Sequence, residues 1–200
     1  MWLDSELSFK PHIDSVVHKV NYSTSVLARA KHCFTFSTRK KLATQLILPI
    51  LDYTDVVYMN ASKLNLSTLD TAYNKICRFI LDCPFTTHHC SMYDSLSWPS
   101  LEIRRQLHWF QLLHKCIHPD YPIYLKQHLV QYSSHYKIRH CAQFYFTISP
   151  TSKAIGKRAF KFRAPSQWNK LPPHVRSLAS PQKFKTSLSS YLETNCTCFG

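Results

Sequence analysis

Only two of the 200 residues are glycine, Gly156 and Gly200. That scarcity removes whole classes of fold and function at once. A Rossmann fingerprint, a P-loop and a kinase-type glycine loop each need several closely spaced glycines to bring backbone up to phosphate. In their place the chain offers apolar residues at spacing three and four, the signature of amphipathic helices. Apolar residues make up 44% of the chain, enough for a real core. No sequence repeats at a fixed period, so a solenoid is not expected.

The helical pattern begins after Pro11. Asp14 or Ser15 is placed to cap a helix running to about Phe34, with Val16, Val20, Leu27 and Ala30 as its apolar stripe. Thr38 is placed to cap a second, carrying Leu42, Leu46 and Ile50, in which Pro49 predicts a kink. Ser67 opens a third, with Leu69, Tyr73, Ile76, Cys77 and Ile80 on one face and Pro84 past its end. A turn at Met92 to Leu96, a strong helix from Leu101 to about Ile117 and a short one from Tyr124 to Tyr132 complete a helical bundle over residues 14–132.

The period changes after residue 132. Ile138 to Ser149 is aromatic and branched and reads as strand. Arg158 to Arg163 alternates basic and apolar. The two runs predict a small β-hairpin, with Phe160 and Phe162 on one face and Lys161 and Arg163 on the other. Ser180-Pro181 then starts a C-terminal helix with Phe184, Leu188 and Leu192 at spacing four. The expected fold class is therefore mainly α: a helical bundle, then a hairpin and a last helix.

Charge is distributed unevenly. Residues 1–120 hold 13 basic and 10 acidic side chains. Residues 121–192 hold 12 basic side chains and no acid. Such a block is matched by a polyanion, and nucleic acid is the first candidate, because phosphates neutralised by Lys and Arg release condensed counterions. An anionic membrane surface and a merely solubilising basic face are the alternatives. No apolar run reaches the roughly 18 residues of a membrane span. No signal peptide is visible at the start, so an intracellular location, nucleus or cytoplasm, is expected.

The eight cysteines read as reduced thiols, given the length and the apolar core. Two groups have a metal-like composition: Cys77, Cys83, His88, His89 and Cys90, and further on His108, His114, Cys116 and His118. Neither has the Cys-x2-Cys spacing of a zinc finger or ribbon, so no metal and no other cofactor is expected. No catalytic constellation is expected either. Asp52 and Asp55 are placed to share one helix face, but a two-metal site needs more carboxylates than this region offers. There is no Gly-x-Ser-x-Gly elbow.

Several phrases occur together and in order. They include Leu48-Pro49-Ile50-Leu51-Asp52-Tyr53-Thr54-Asp55-Val56-Val57-Tyr58 and Leu96-Ser97-Trp98-Pro99-Ser100-Leu101 followed by Arg104-Arg105. Later come Phe162-Arg163-Ala164-Pro165 and Trp168-Asn169-Lys170-Leu171-Pro172. In this set the chain resembles the C-terminal part of reverse transcriptases from LINE-type, non-LTR retrotransposons. The resemblance implies that residues 1–13 are the end of a polymerase palm, 14–132 a helical thumb, and 133–200 a basic region beyond it. It also implies a fragment whose catalytic aspartates lie upstream, and so no polymerase activity of its own.

A thumb grips template and primer through the backbone. The expected phosphate contacts are Arg39, Lys40 and Lys41 at a helix start and Lys157, Arg158, Lys161 and Arg163 on the hairpin, with RNA, DNA or an RNA–DNA hybrid as partner. Three cations at a helix start oppose the helix dipole, which suggests a use other than stability. Phe160 and Phe162 either stack on bases or pack with the Trp168 region into a small core. Two other readings stand beside this one: an assembly module that self-associates through faces left open by the missing palm, and a remnant without function.

Overall fold

The computed structural model describes residues 4–117, 123–132 and 144–193 and is mainly helical. It forms two compact units, the first ending at Arg105 and the second beginning at Gln106. Among the described residues no helix is long and apolar enough to cross a membrane.

The first unit opens on α1 (Lys10–Arg29), with Phe9 at the N-cap position, five or six residues earlier than a cap at Asp14 or Ser15 suggested. Pro11 lies in its first turn, where a missing N–H costs nothing. The Asp4 carboxylate prepares this start. It accepts hydrogen bonds from the Ser8 N–H (3.1 Å), the Ser8 hydroxyl (2.6 Å) and the Phe9 N–H (3.0 Å). The Ser8 hydroxyl is the main reason that Asp4 titrates below the usual carboxylate value. A 3₁₀ turn, Lys31–Cys33, follows α1.

The second helical pattern is three pieces in one run. α2 (Phe36–Leu42) is capped by Thr35, whose hydroxyl accepts from the Thr38 N–H (3.3 Å), so Thr38 lies inside the helix it was expected to cap. A π-helical turn over Ala43–Ile47 then leads into α3 (Leu48–Asp52). Pro49 explains the widened turn. Its nitrogen cannot donate to the Gln45 carbonyl and its ring would strike that oxygen. Adding one residue to the turn resolves both, and the run continues instead of breaking.

Tyr53 is extended and Thr54 adopts a left-handed conformation (φ 59°) before α4 (Asp55–Tyr58). Asp52 and Asp55 therefore belong to different helices and do not share one helix face as expected, yet the turn between them still brings their carboxylates within 4.8 Å of each other. Ser62 caps α5 (Lys63–Leu81), four residues ahead of the expected start. α6 (His89–Leu96) follows.

The core of this unit joins Ile13, Val16 and Val20 of α1 to Leu69, Tyr73, Ile76, Cys77 and Ile80 of α5, with Met92 and Leu96 of α6 closing one side. Each such apolar side chain contributes about 1.5–3 kcal/mol of burial. Two tyrosine hydroxyls that enter it find backbone acceptors. Tyr58 donates its hydroxyl to the Leu51 carbonyl (2.6 Å), and Tyr73 to that of Pro99 (2.9 Å). Burial pushes the Cys77 thiol up to about 12.

α7 (Leu101–Ile117) spans the boundary and matches its expected limits. Its first turn belongs to the first unit. There Arg104 holds Asp52 with two parallel hydrogen bonds, Nε to Oδ1 (2.5 Å) and Nη2 to Oδ2 (2.6 Å).

The rest of α7 supplies Leu107, Trp109, Phe110, Leu113 and Cys116 to the core of the second unit. α8 covers only Ile123–Lys126, shorter than expected. α9 (Ala154–Arg158), α10 (Phe160–Trp168), α11 (Pro173–Arg176) and α12 (Pro181–Glu193) follow. α12 starts at Pro181 as predicted, and Phe184, Leu188 and Leu192 are buried. Trp168 stacks on Phe184 (5.7 Å between centroids), and His114 stacks on the same ring (4.3 Å).

The β-hairpin is not what these residues form. Arg158 to Arg163 is helical on both sides of a break at Ala159, whose backbone is extended (ψ 143°). An alternation over six residues fits period two. It equally places Phe160, Arg163 and Ala164 at i, i+3 and i+4 on one helix side, and that side wins by facing the unit's interior. The described part of the other run, residues 144–149, pairs elsewhere. Phe146 bridges antiparallel to Gln131, flanked by Tyr132 N–H to Tyr145 carbonyl and Thr147 N–H to Val130 carbonyl, both 2.8 Å. Residues 138–143 lie outside the described residues.

Candidate nucleic-acid interface

The seven cations expected to touch phosphate fall into two groups, and the structure uses them differently. Arg39, Lys40 and Lys41 stand in the last turn of α2, not at a helix start. The helical run continues through the π-helical turn into α3, so these cations stand at neither end of it and the argument from a disfavoured charge falls away.

Two of the three are also committed within the unit. Arg39 donates from Nη1 to the Phe79 carbonyl (3.4 Å) in the last turn of α5, and the same nitrogen lies 3.7 Å from Asp82. Lys40 donates to the carbonyl of Leu96 (2.9 Å), the last residue of α6. Lys31 pairs with Asp82 as well, and its hydrogen bond is the first cause holding Asp82 below the usual carboxylate value. The basic run thus caps the carbonyl ends of two other helices. Lys41 alone of the three is exposed.

The second group lies on α9 and α10. Lys157, Arg158 and Lys161 are exposed. Arg163 is half-buried, with its guanidinium 5.0 Å from the centre of the Trp109 ring, and burial lowers its pKa. Phe160 meets Trp109 edge-on (5.8 Å) and His128 (6.3 Å). It therefore packs against α7 and the turn after α8, not against Trp168, and is not presented to bases. Arg163 and Phe160 together seat α10, and the three exposed cations project from that seat.

The Trp168-Asn169 phrase holds backbone. Trp168 Nε1 donates to the Phe144 carbonyl (2.9 Å). Asn169 acts as a surrogate strand: its Oδ1 accepts from the Phe146 N–H (3.0 Å) and its Nδ2 donates to the Phe146 carbonyl (2.7 Å). Buried Arg176 donates to the Leu171 carbonyl (3.0 Å) and lies over the Tyr145 ring. These residues fix the segment at 144–146.

Sequence reasoning passed over an open groove of about 870 Å³ along α11 and α12, lined among others by His174, Gln182, Lys183, Thr186 and Ser190. Its lining is rich in donors, and Lys183 is exposed. The signal was available: Lys183 and Lys185 flank Phe184 on the outer side of α12.

The electrostatic contrast between the units is large. In the first, carboxylates answer many cations, as in Lys10–Asp14, Lys31–Asp82, Arg104–Asp52 and Arg105–Asp70. In the second there is no carboxylate among the described side chains. Lys126, Lys153, Lys157, Arg158, Lys161, Lys170, Lys183 and Lys185 are exposed, and no carboxylate stands among the described side chains of their own unit.

No family model matches this chain, and no curated protein or solved structure is detectably similar to it.

Proposed function

We propose that the chain is a sequence-independent nucleic-acid-binding module of the kind found in the thumb and post-thumb region of LINE-type reverse transcriptases, without polymerase activity of its own. The observation that carries this reading is the second unit's surface of exposed lysines and arginines with no carboxylate among its described side chains. A protein surface gains little from eight exposed like charges in one unit; a phosphate backbone supplies the missing anions and releases counterions on contact. The helical character of the first unit supports a thumb-like role, and the ordered phrases quoted above support the family origin.

The contacts are assigned to Lys157, Arg158 and Lys161, with exposed Lys41 from the other group. Arg39 and Lys40 serve the first unit's own packing, and Arg163 serves α10.

The test is fluorescence anisotropy of the full chain with a labelled RNA–DNA hybrid across a salt series. Affinity should fall linearly in log–log form, with a slope of several. Neutralising Lys157, Arg158 and Lys161 to Gln should reduce that slope by about 2–3. Absence of binding at low salt would sink the proposal and leave the assembly module as the reading to pursue.

A further inference from the structure

We propose that His88, His89 and Cys90 at the start of α6 form a binding site for a zinc ion. Their donor atoms, two imidazole nitrogens and one thiol sulfur, all lie within 4.8 Å of one another. In a tetrahedral zinc site, with Zn–N of 2.0–2.1 Å and Zn–S near 2.3 Å, neighbouring donors stand about 3.5 Å apart. Side-chain rotation of about an ångström closes that gap. The chemistry of the set is right for zinc: imidazole and thiolate suit a borderline-soft d¹⁰ ion, and a harder cation would want oxygen.

Consecutive residues converge because the chain turns at this point. His88 is extended (φ −66°, ψ 140°) and precedes the first helical residue, His89. The change from extended to helical backbone folds the His88 ring back over the helix start. Its Nδ1 accepts weakly from the Cys90 N–H (3.4 Å), and its ring centre stands 4.2 Å from that of His89. The three residues also run from outside to inside: His88 is exposed, His89 half-buried and Cys90 buried.

On binding, the Zn–S bond forms as the Cys90 S–H bond breaks, and the proton passes to solvent. The spacing is unlike a zinc finger because the site uses three adjacent residues at a bend instead of two separated pairs.

The experiment is titration of the reduced, chelator-stripped full chain with Co²⁺ as a spectroscopic probe, then displacement by Zn²⁺. One equivalent should give a thiolate-to-cobalt charge-transfer band and tetrahedral visible bands, both erased by Zn²⁺. Cys90→Ala should abolish the charge-transfer band. His89→Gln and His88→Asn should weaken Zn²⁺ binding by about 100-fold or more, since even outer-shell partners of a metal site cost 10–100-fold. His88→Asn keeps an N-cap side chain at an exposed position, so its circular dichroism should be unchanged and its loss of affinity interpretable. A band that persists in Cys90→Ala, or a Zn²⁺ affinity equal in all three variants and the parent, would overturn the site. So would the absence of any thiolate band in the parent.

Discussion

At the scale of single residues, His12 ties the first unit to protons. It is buried against Tyr58, with ring centres 5.5 Å apart, and its Nε2 lies 3.2 Å from the Thr54 hydroxyl. Burial is the first cause that lowers its pKa from 6.5. The unfolded chain therefore binds more protons than the folded one below pH 6.5, and this stabilisation is lost as pH falls from 6.5 through the folded value. Asp70, raised by burial, acts in the opposite sense at lower pH, so the test is a difference. Urea midpoints of the parent should decline between pH 7 and 5 more steeply than those of His12→Asn. Asp52 and Arg104 make the second residue-scale case. Their paired hydrogen bonds join α3 to α7 at a site that is only a quarter exposed. Arg104→Ala should cost about 2 kcal/mol in urea denaturation, and a double-mutant cycle with Asp52→Asn should return most of that as coupling.

Elements were legible in proportion to their length and their punctuation. α7 matched its expected bounds and α12 its expected start because each carries a continuous apolar stripe behind a proline, Pro99 and Pro181 respectively. α1, α2 and α5 existed as expected, but their starts moved by three to six residues. Several polar residues near each start were plausible caps, and tertiary packing chose among them. The basic stretch at 158–163 was misread because six residues do not separate period two from period 3.6. The candidate site was legible only in part. Its charge could be read from composition, but the carbonyls of Phe79 and Leu96 that claim Arg39 and Lys40 come from distant helices. One partner of the 144–147 segment was equally hidden, since it is the side-chain amide of Asn169. Asn169→Ala removes both of its bonds to Phe146 and should raise the exchange rate of the Phe146 amide, with a stability loss of about 1–2 kcal/mol.

Across the whole molecule, the two units differ in how their charges are answered, and this separates binding from stability. Lys40→Met should lower the first unit's unfolding midpoint and leave the salt slope of nucleic-acid binding where it is, because its ammonium is held at the end of α6. The Lys157, Arg158 and Lys161 triple variant should do the reverse: a flatter slope with an unchanged midpoint. Paired measurement of thermal midpoints and anisotropy on the two variants checks both halves. If Lys40→Met flattened the slope as the triple variant does, the division of labour between the two basic groups would fail.

Each unit also keeps a sulfur atom sealed in its interior. Cys77 in the first and Cys116 in the second are fully buried, with thiols raised to about 12 and about 11, while Cys33 is free on the surface. A thiol in that state is alkylated only when its surroundings open, because the thiolate is the nucleophile. With the other cysteines replaced, the labelling half-life of Cys77 would clock the opening of one unit and that of Cys116 the opening of the other, under native conditions and without denaturant.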